Sequence, residues 1–244
     1  MPVIDELAAI VAERSRAASP VVVGITGPVA VGKTTLTAEL AAAVEGAGLA
    51  AVTLSADAFL LPNEDLGERG LLMQKGFPET FDLAGLRGAV ETLRRRQAAT
   101  VPVYSHELYD RVPGASVHVE PAAVVIVEGV VVLNAAVADL IDIGVYLDAE
   151  EADIVEWFTG RFLLWRDGAG RGEGGFYAMF AGLTDDECRA LARATWDGIN
   201  GVNLRDHIAP SRAHADVVLR KGPRHDYRGL DPGPRSVRGA SGSA

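Results

Sequence analysis

The octapeptide Gly27-Pro28-Val29-Ala30-Val31-Gly32-Lys33-Thr34 fits the pattern G-x-x-x-x-G-K-[ST]. Glycines at this spacing let the backbone curl so that successive N–H groups, and the start of a following helix, aim at phosphate oxygens. Lys33 adds a positive charge, Thr34 offers a hydroxyl to Mg²⁺, and Thr35 lies one residue further into the same turn. The chemistry is capture of a nucleotide's phosphate tail, which GTPases, motor ATPases and small-molecule kinases share. A GTPase usually carries Asn-Lys-x-Asp for its base, and none of the lysines, Lys33, Lys75 and Lys221, follows an asparagine.

Two acids stand where phosphoryl transfer would use them. Asp57 follows an expected strand at 51–55 and should emerge at the carboxyl edge of a parallel sheet, beside the phosphate loop. A carboxylate there can take the proton of an alcohol acceptor and aim its oxygen in line; the alternative is a plain turn cap. Glu128 ends the apolar run Val124-Val125-Ile126-Val127, and burial demands a cationic partner for it, either Mg²⁺ with its waters or an arginine. Arg161 and Arg166 lie on one predicted helix ahead of a glycine-rich stretch; Arg161 is the better candidate for the transferred phosphate, against the alternative of a solvated helical arginine. Tyr104-Ser105-His106 and Tyr109-Asp110 form a polar aromatic cluster able to bind an acceptor. The histidines at 118, 207 and 214 have no metal-ligand spacing with Cys188, so no zinc site is expected.

These residues need a scaffold to converge. Period-3.6 patterning predicts an amphipathic helix over 3–17 and an alanine-rich one over 35–46, with further helices over 83–96 and 149–165. Between them, β-branched runs predict strands at 21–26, 51–55, 122–127, 142–147 and 217–219. The alternation is that of an α/β fold with a mainly parallel sheet, the strand at 21–26 central. Residues 168–175 hold five glycines in eight positions, which suits a mobile lid or a plain flexible loop. Residues 229–244, rich in Gly, Pro, Ser and Arg, read as a disordered tail, leaving one folded domain over 1–228.

With 48% hydrophobic and 23% charged residues in 244, the composition excludes disorder throughout. A net charge of −10 gives no global attraction to nucleic acid or anionic membrane, so any anion must be held locally. One cysteine allows no internal disulfide, residues 1–20 lack the apolar core of a secretory signal, and no apolar run approaches a membrane span, so the expected location is the cytoplasm.

Taken together, the strings resemble the bacterial type I pantothenate kinase family, near uridine kinases and phosphoribulokinases. The resemblance runs through "VAVGKTT" at 29–35, "SADAFLLPN" at 55–63, "ERGLLMQKGFPETFD" at 68–82, "VPVYSHELYD" at 101–110, "GRFLLWR" at 160–166, "WDGINGVNL" at 196–204 and "HIAPSRAHAD" at 207–216. It implies a P-loop three-layer sandwich with a mobile lid, a homodimer, and ATP with Mg²⁺ as cofactors. On that resemblance residues 27–35 hold ATP, with His225 against adenine, and Thr34 and Glu128 serve the metal. Asp57 would be the base, assisted by Lys33 and Arg161, while Tyr104, His106, Phe158, Arg161, Tyr177 and Asn200 would line the acceptor pocket. The implied reaction is phosphorylation of pantothenate on its primary hydroxyl, toward coenzyme A; a uridine-type or other small-alcohol kinase, and a nucleotide-binding regulator, are the alternatives. Three positions depart from the family pattern: Phe158 replaces a tyrosine, Val131 the asparagine of E-G-L-N, and Ala38 an arginine used in coenzyme A feedback, which is therefore expected to be weaker.

Overall fold

A computed structural model describes residues 2–15, 19–168 and 176–236. Its strands are β1 (Val21–Thr26), β2 (Ala51–Ser55), β3 (Ala99–Ser105), β4 (Asp110–Val119), β5 (Val124–Glu128), β6 (Ile143–Asp148), β7 (Val217–Lys221) and β8 (Tyr227–Pro232). Its main helices are α1 (Pro2–Arg14), α2 (Lys33–Gly46), α3 (Asn63–Glu68), α4 (Leu83–Arg94), α5 (Glu151–Gly168) and α6 (Asp185–Thr195). Six strands form one sheet in the order β2-β5-β1-β6-β7-β8, parallel throughout except for β8.

All six residues of β1 are buried because both sheet faces are covered. Val21, Val23 and Ile25 pack with Leu36, Leu40 and Val44 of α2 and Leu7 and Val11 of α1. Val22 turns the other way, into a core with Leu86, Val90 and Leu93 of α4. Gly24 faces that side too: a Cβ there would lie 2.8 Å from Val132 Cγ1 and 2.9 Å from Ile141 Cγ2, so the close approach requires glycine. A third apolar cluster joins α5 to α6 through Ile154, Phe158, Phe162, Cys188, Ala192 and Trp196. No helix among the described residues is long and apolar enough to cross a membrane.

The chain departs from the expectation of a disordered tail from residue 229. Tyr227–Pro232 instead pairs antiparallel with β7, and Leu230 packs against the core. The Arg235 guanidinium pairs with Asp216 and donates to the Ile141 carbonyl at 3.0 Å. The free edge of β7 supplies a row of main-chain partners that composition does not register, so the folded unit reaches at least Ser236. Residues 237–244 and 169–175, where the rest of the tail and most of the lid were expected, lie outside the described residues.

A hairpin of β3 and β4, separate from the main sheet, was not anticipated. Pro102, Pro113 and Gly114 break its strand pattern, and no residue of β4 is fully buried, so no clean alternation marks it.

Candidate active site

The phosphate loop joins β1 to α2 at the carboxyl end of the sheet. Gly27, Ala30 and Gly32 take positive φ of 149°, 64° and 94°. A Cβ on Gly27 would strike the Leu147 carbonyl, which is why the first glycine is needed. Gly32 sits at the N-cap of α2 with no side chain capping the helix, leaving its first amides directed outward. Val29 and Ala30 rest against the α5–α6 cluster, which buttresses the loop, while Val31 is fully buried. Lys33 folds back over the curl, its ammonium donating to the carbonyls of Pro28 at 2.8 Å and Gly27 at 3.1 Å. Desolvation lowers its pKa, opposed by Glu128 and Asp57 and reinforced by Arg161. That ammonium therefore lies within electrostatic reach of all three residues expected to act with it.

Glu128, at the end of β5, is 8% exposed and keeps company with hydroxyls. Its Oε1 accepts from Ser55 Oγ at 3.0 Å and from Thr34 Oγ1 at 3.4 Å. Burial raises its pKa, with Lys33 opposing and Asp57 reinforcing. A hydroxyl and a carboxylate at the foot of a phosphate loop are the hard-oxygen donors that Mg²⁺ takes alongside phosphate and water, so Thr34 and Glu128 fit that ion. Ser55 also receives the Asp57 amide at 3.3 Å, fixing the 3₁₀ turn Ala56–Phe59 that carries Asp57. Gly129 allows this turn to close, since a Cβ there would lie 2.5 Å from that of Ala56. Asp57, half-buried, is thus held next to Glu128 and Lys33 by neighbouring strand ends.

Within electrostatic reach of Asp57 lies an aromatic cage. Tyr104 meets His106 edge to face with ring centroids 5.2 Å apart, and Tyr109 meets Tyr177 at 6.2 Å. Tyr177 stacks on Trp165 at 4.5 Å, and Arg161 lies over the same indole, also at 4.5 Å. Burial pushes the phenols of Tyr104, Tyr109 and Tyr177 upward, so all three remain protonated donors at neutral pH. Lys75, missed in the sequence, sits among them. It is 8% exposed, donates to Asn63 Oδ1 and the Tyr109 carbonyl, each at 2.5 Å, and lies over the rings of Tyr109 and Tyr104. Desolvation brings its pKa down to about 8 despite Asp110 and Asp57. Its signals in the sequence are its rarity, as one of three lysines, and its place in the string at 68–82.

Behind the phosphate loop is a cavity of about 740 Å³ lined by residues including Ala30, Gly32, Thr35, Arg161, Lys221 and His225. His225 stacks on Trp157 at 4.2 Å, offering a flat apolar surface there. Lys221, also missed, donates to the Val31 carbonyl at 3.0 Å and braces the loop from behind. Two expected residues stand apart. Phe158 is 4% exposed and packs between Phe162 and Trp196, so its visible role is in the α5–α6 core. Asn200 ends the π-helical turn Trp196–Asn200, half-buried, with no hydrogen-bond partner for its side chain among the described residues. Arg166 pairs with Asp185 and the Leu183 carbonyl, tying α5 to the start of α6 rather than facing the site.

This arrangement can hold a triphosphate tail on one side of a carboxylate and a polar acceptor on the other. Residues 22–175 match the phosphoribulokinase/uridine kinase family. The pantothenate kinase of Sorangium cellulosum is 43% identical over 223 residues, covering 86% of this chain and 72% of the relative. That of Cutibacterium acnes is 39% identical over 226 residues, covering 87% and 69%. A crystal structure from Silicibacter sp. TM1040, proposed there as a fructose transport system kinase, superposes with a TM-score of 0.69 at 28% identity, covering 83% of this chain and 92% of that one.

Proposed function

Because the chain belongs to the phosphoribulokinase/uridine kinase family, and within it to the bacterial pantothenate kinases, we propose that it transfers the γ-phosphoryl group of ATP to the primary hydroxyl of pantothenate. The observation that carries this reading is the hydrogen-bonded linkage at the foot of the phosphate loop, where Glu128 accepts from Thr34 and from Ser55, whose hydroxyl also receives the Asp57 amide. ATP with Mg²⁺, when bound, supplies the phosphoryl group and a cation that spreads its charge.

The loop amides and Lys33 bind the phosphate tail, for which Lys33 must exchange its two carbonyl partners for phosphate oxygens. Thr34 and Glu128 would hold Mg²⁺. Asp57 accepts the acceptor's hydroxyl proton as the new O–P bond forms and the bond to the departing ADP oxygen breaks. Arg161 steadies the charge on the transferring group from the α5 side, and the cage of Tyr104, His106, Tyr109 and Tyr177 with Lys75 holds the acceptor's polar groups. His225 and Trp157 receive the base. A homodimer is part of the same reading, checked by light scattering at twice the chain mass.

Incubation with ATP, Mg²⁺ and a panel of pantothenate, uridine and fructose, followed by product mass, tests the proposal. Phosphopantothenate should be the dominant product and Lys33→Ala should abolish it. Preferential phosphorylation of uridine or fructose would replace the acceptor assignment, and ATP binding with no transfer to any acceptor would point to a regulator.

A further inference from the structure

The proposed acceptor is a hydroxy acid, and the residues assigned above to its polar groups include none that could take its carboxylate with two parallel hydrogen bonds. Arg111 is the unexplained cation of this region. Its Nε and Nη2 atoms are both buried and have no hydrogen-bond partner among the described residues. A guanidinium stays charged at any physiological pH, so two orphaned donors inside the protein are costly unless something supplies oxygens to them. Nε and Nη2 share one edge of the guanidinium, and their two N–H bonds point the same way. That edge is the half of the arginine fork that takes a carboxylate with two parallel hydrogen bonds.

The position is also right. Arg111 is the direct antiparallel partner of Tyr104 across the β3–β4 hairpin, so the two side chains leave the hairpin on the same face. Tyr104 on that face stands over Lys75 and within electrostatic reach of Asp57. The neighbouring acid does not serve Arg111: Asp110 Oδ1 accepts instead from the amides of Asn63 at 3.0 Å and of Arg111 itself at 2.8 Å.

We propose that Arg111 is the specificity residue for the anionic end of the acceptor, its Nε–Nη2 edge receiving the carboxylate while the distant hydroxyl lies at Asp57. The inference rests on pantothenate as acceptor. It assigns the hairpin a function: β3 carries Tyr104 and His106 follows it, and β4 carries the carboxylate reader.

The test compares KM for pantothenate with KM for pantothenol, which has an alcohol in place of the carboxylate, in wild type and Arg111→Met. The variant should raise KM for pantothenate about tenfold or more, as loss of a charge-assisted pair implies, and leave those for pantothenol and ATP unchanged. An equal change for both acceptors, or none for either, overturns the role of Arg111 while leaving the kinase assignment intact. Should wild type phosphorylate neither acceptor, the acceptor reading fails and the inference falls with it. If Arg111→Met does not fold, Arg111→Gln is read by the same ratio, and an unchanged preference in that folded variant overturns the proposal.

Discussion

Single side chains at this site are defined by what surrounds them. Asp57 is held in place because Ser55 fixes its turn, with Glu128 and Lys33 bordering it. Asp57→Asn should keep ATP affinity and lower kcat by about 100-fold or more, the scale of a lost general base. Calorimetric ATP binding beside steady-state rates checks this, and near-normal turnover would remove Asp57 from the role. Lys75 gives a pH signature. With its pKa near 8, it is cationic below that pH and neutral above, so pantothenate kcat/KM should fall as pH rises through about 8. Lys75→Arg stays charged and should abolish that limb; an identical profile would assign the limb elsewhere. The stability effect has the opposite sign. Between about pH 8 and the ordinary value of 10.5 the unfolded chain holds this proton and the folded one does not, so this group's contribution to stability rises with pH.

At the level of elements, the site depends on backbones approaching closely where strands end. β1 must pass under Val132 and Ile141 to deliver the phosphate loop, and only hydrogen fits at Gly24. Gly24→Ala should cost about 1–3 kcal/mol through overpacking, seen as a lower urea midpoint with an unchanged slope. A midpoint equal to wild type would show that the β1 contact yields freely. α5 does two jobs: its inner face builds the cluster of Ile154, Phe158 and Phe162, while Arg161 and Trp157 line the cavity beside the phosphate loop. The hairpin of β3 and β4 lies outside the main sheet and sets Tyr104 against Lys75.

For the whole molecule, the sheet order places β5 and β6 on either side of β1, so Glu128 and the phosphate loop meet at one edge. An acidic chain of net charge −10 thereby gathers its few lysines at the phosphate loop and the aromatic cage: Lys33 and Lys221 touch the loop, and Lys75 sits in the cage. The fold closes through β8 and Arg235, beyond the boundary that composition suggested. Arg235→Ala should cost about 1–3 kcal/mol, or a few degrees in Tm, by removing the Asp216 pair and the bonds to the Ile141 and Asp142 carbonyls. A variant melting with wild type would show that this segment lies outside the cooperative unit.

The sequence by itself determined what is local or nearly so. The phosphate loop, the buried parallel strands and the place of Asp57 after β2 follow from spacing, β-branched runs and the rule that ligands gather at the carboxyl edge of such sheets. Only the tertiary structure decided which distant groups share a charge environment or a face. Lys75 reaches Tyr109 across 34 residues, Lys221 reaches Val31 across 190, and Arg111 lies opposite Tyr104 through a hairpin that prolines disguise. No periodicity records such pairings, because they arise from strand order and from the close passage of backbones, which belong to the folded chain as a whole.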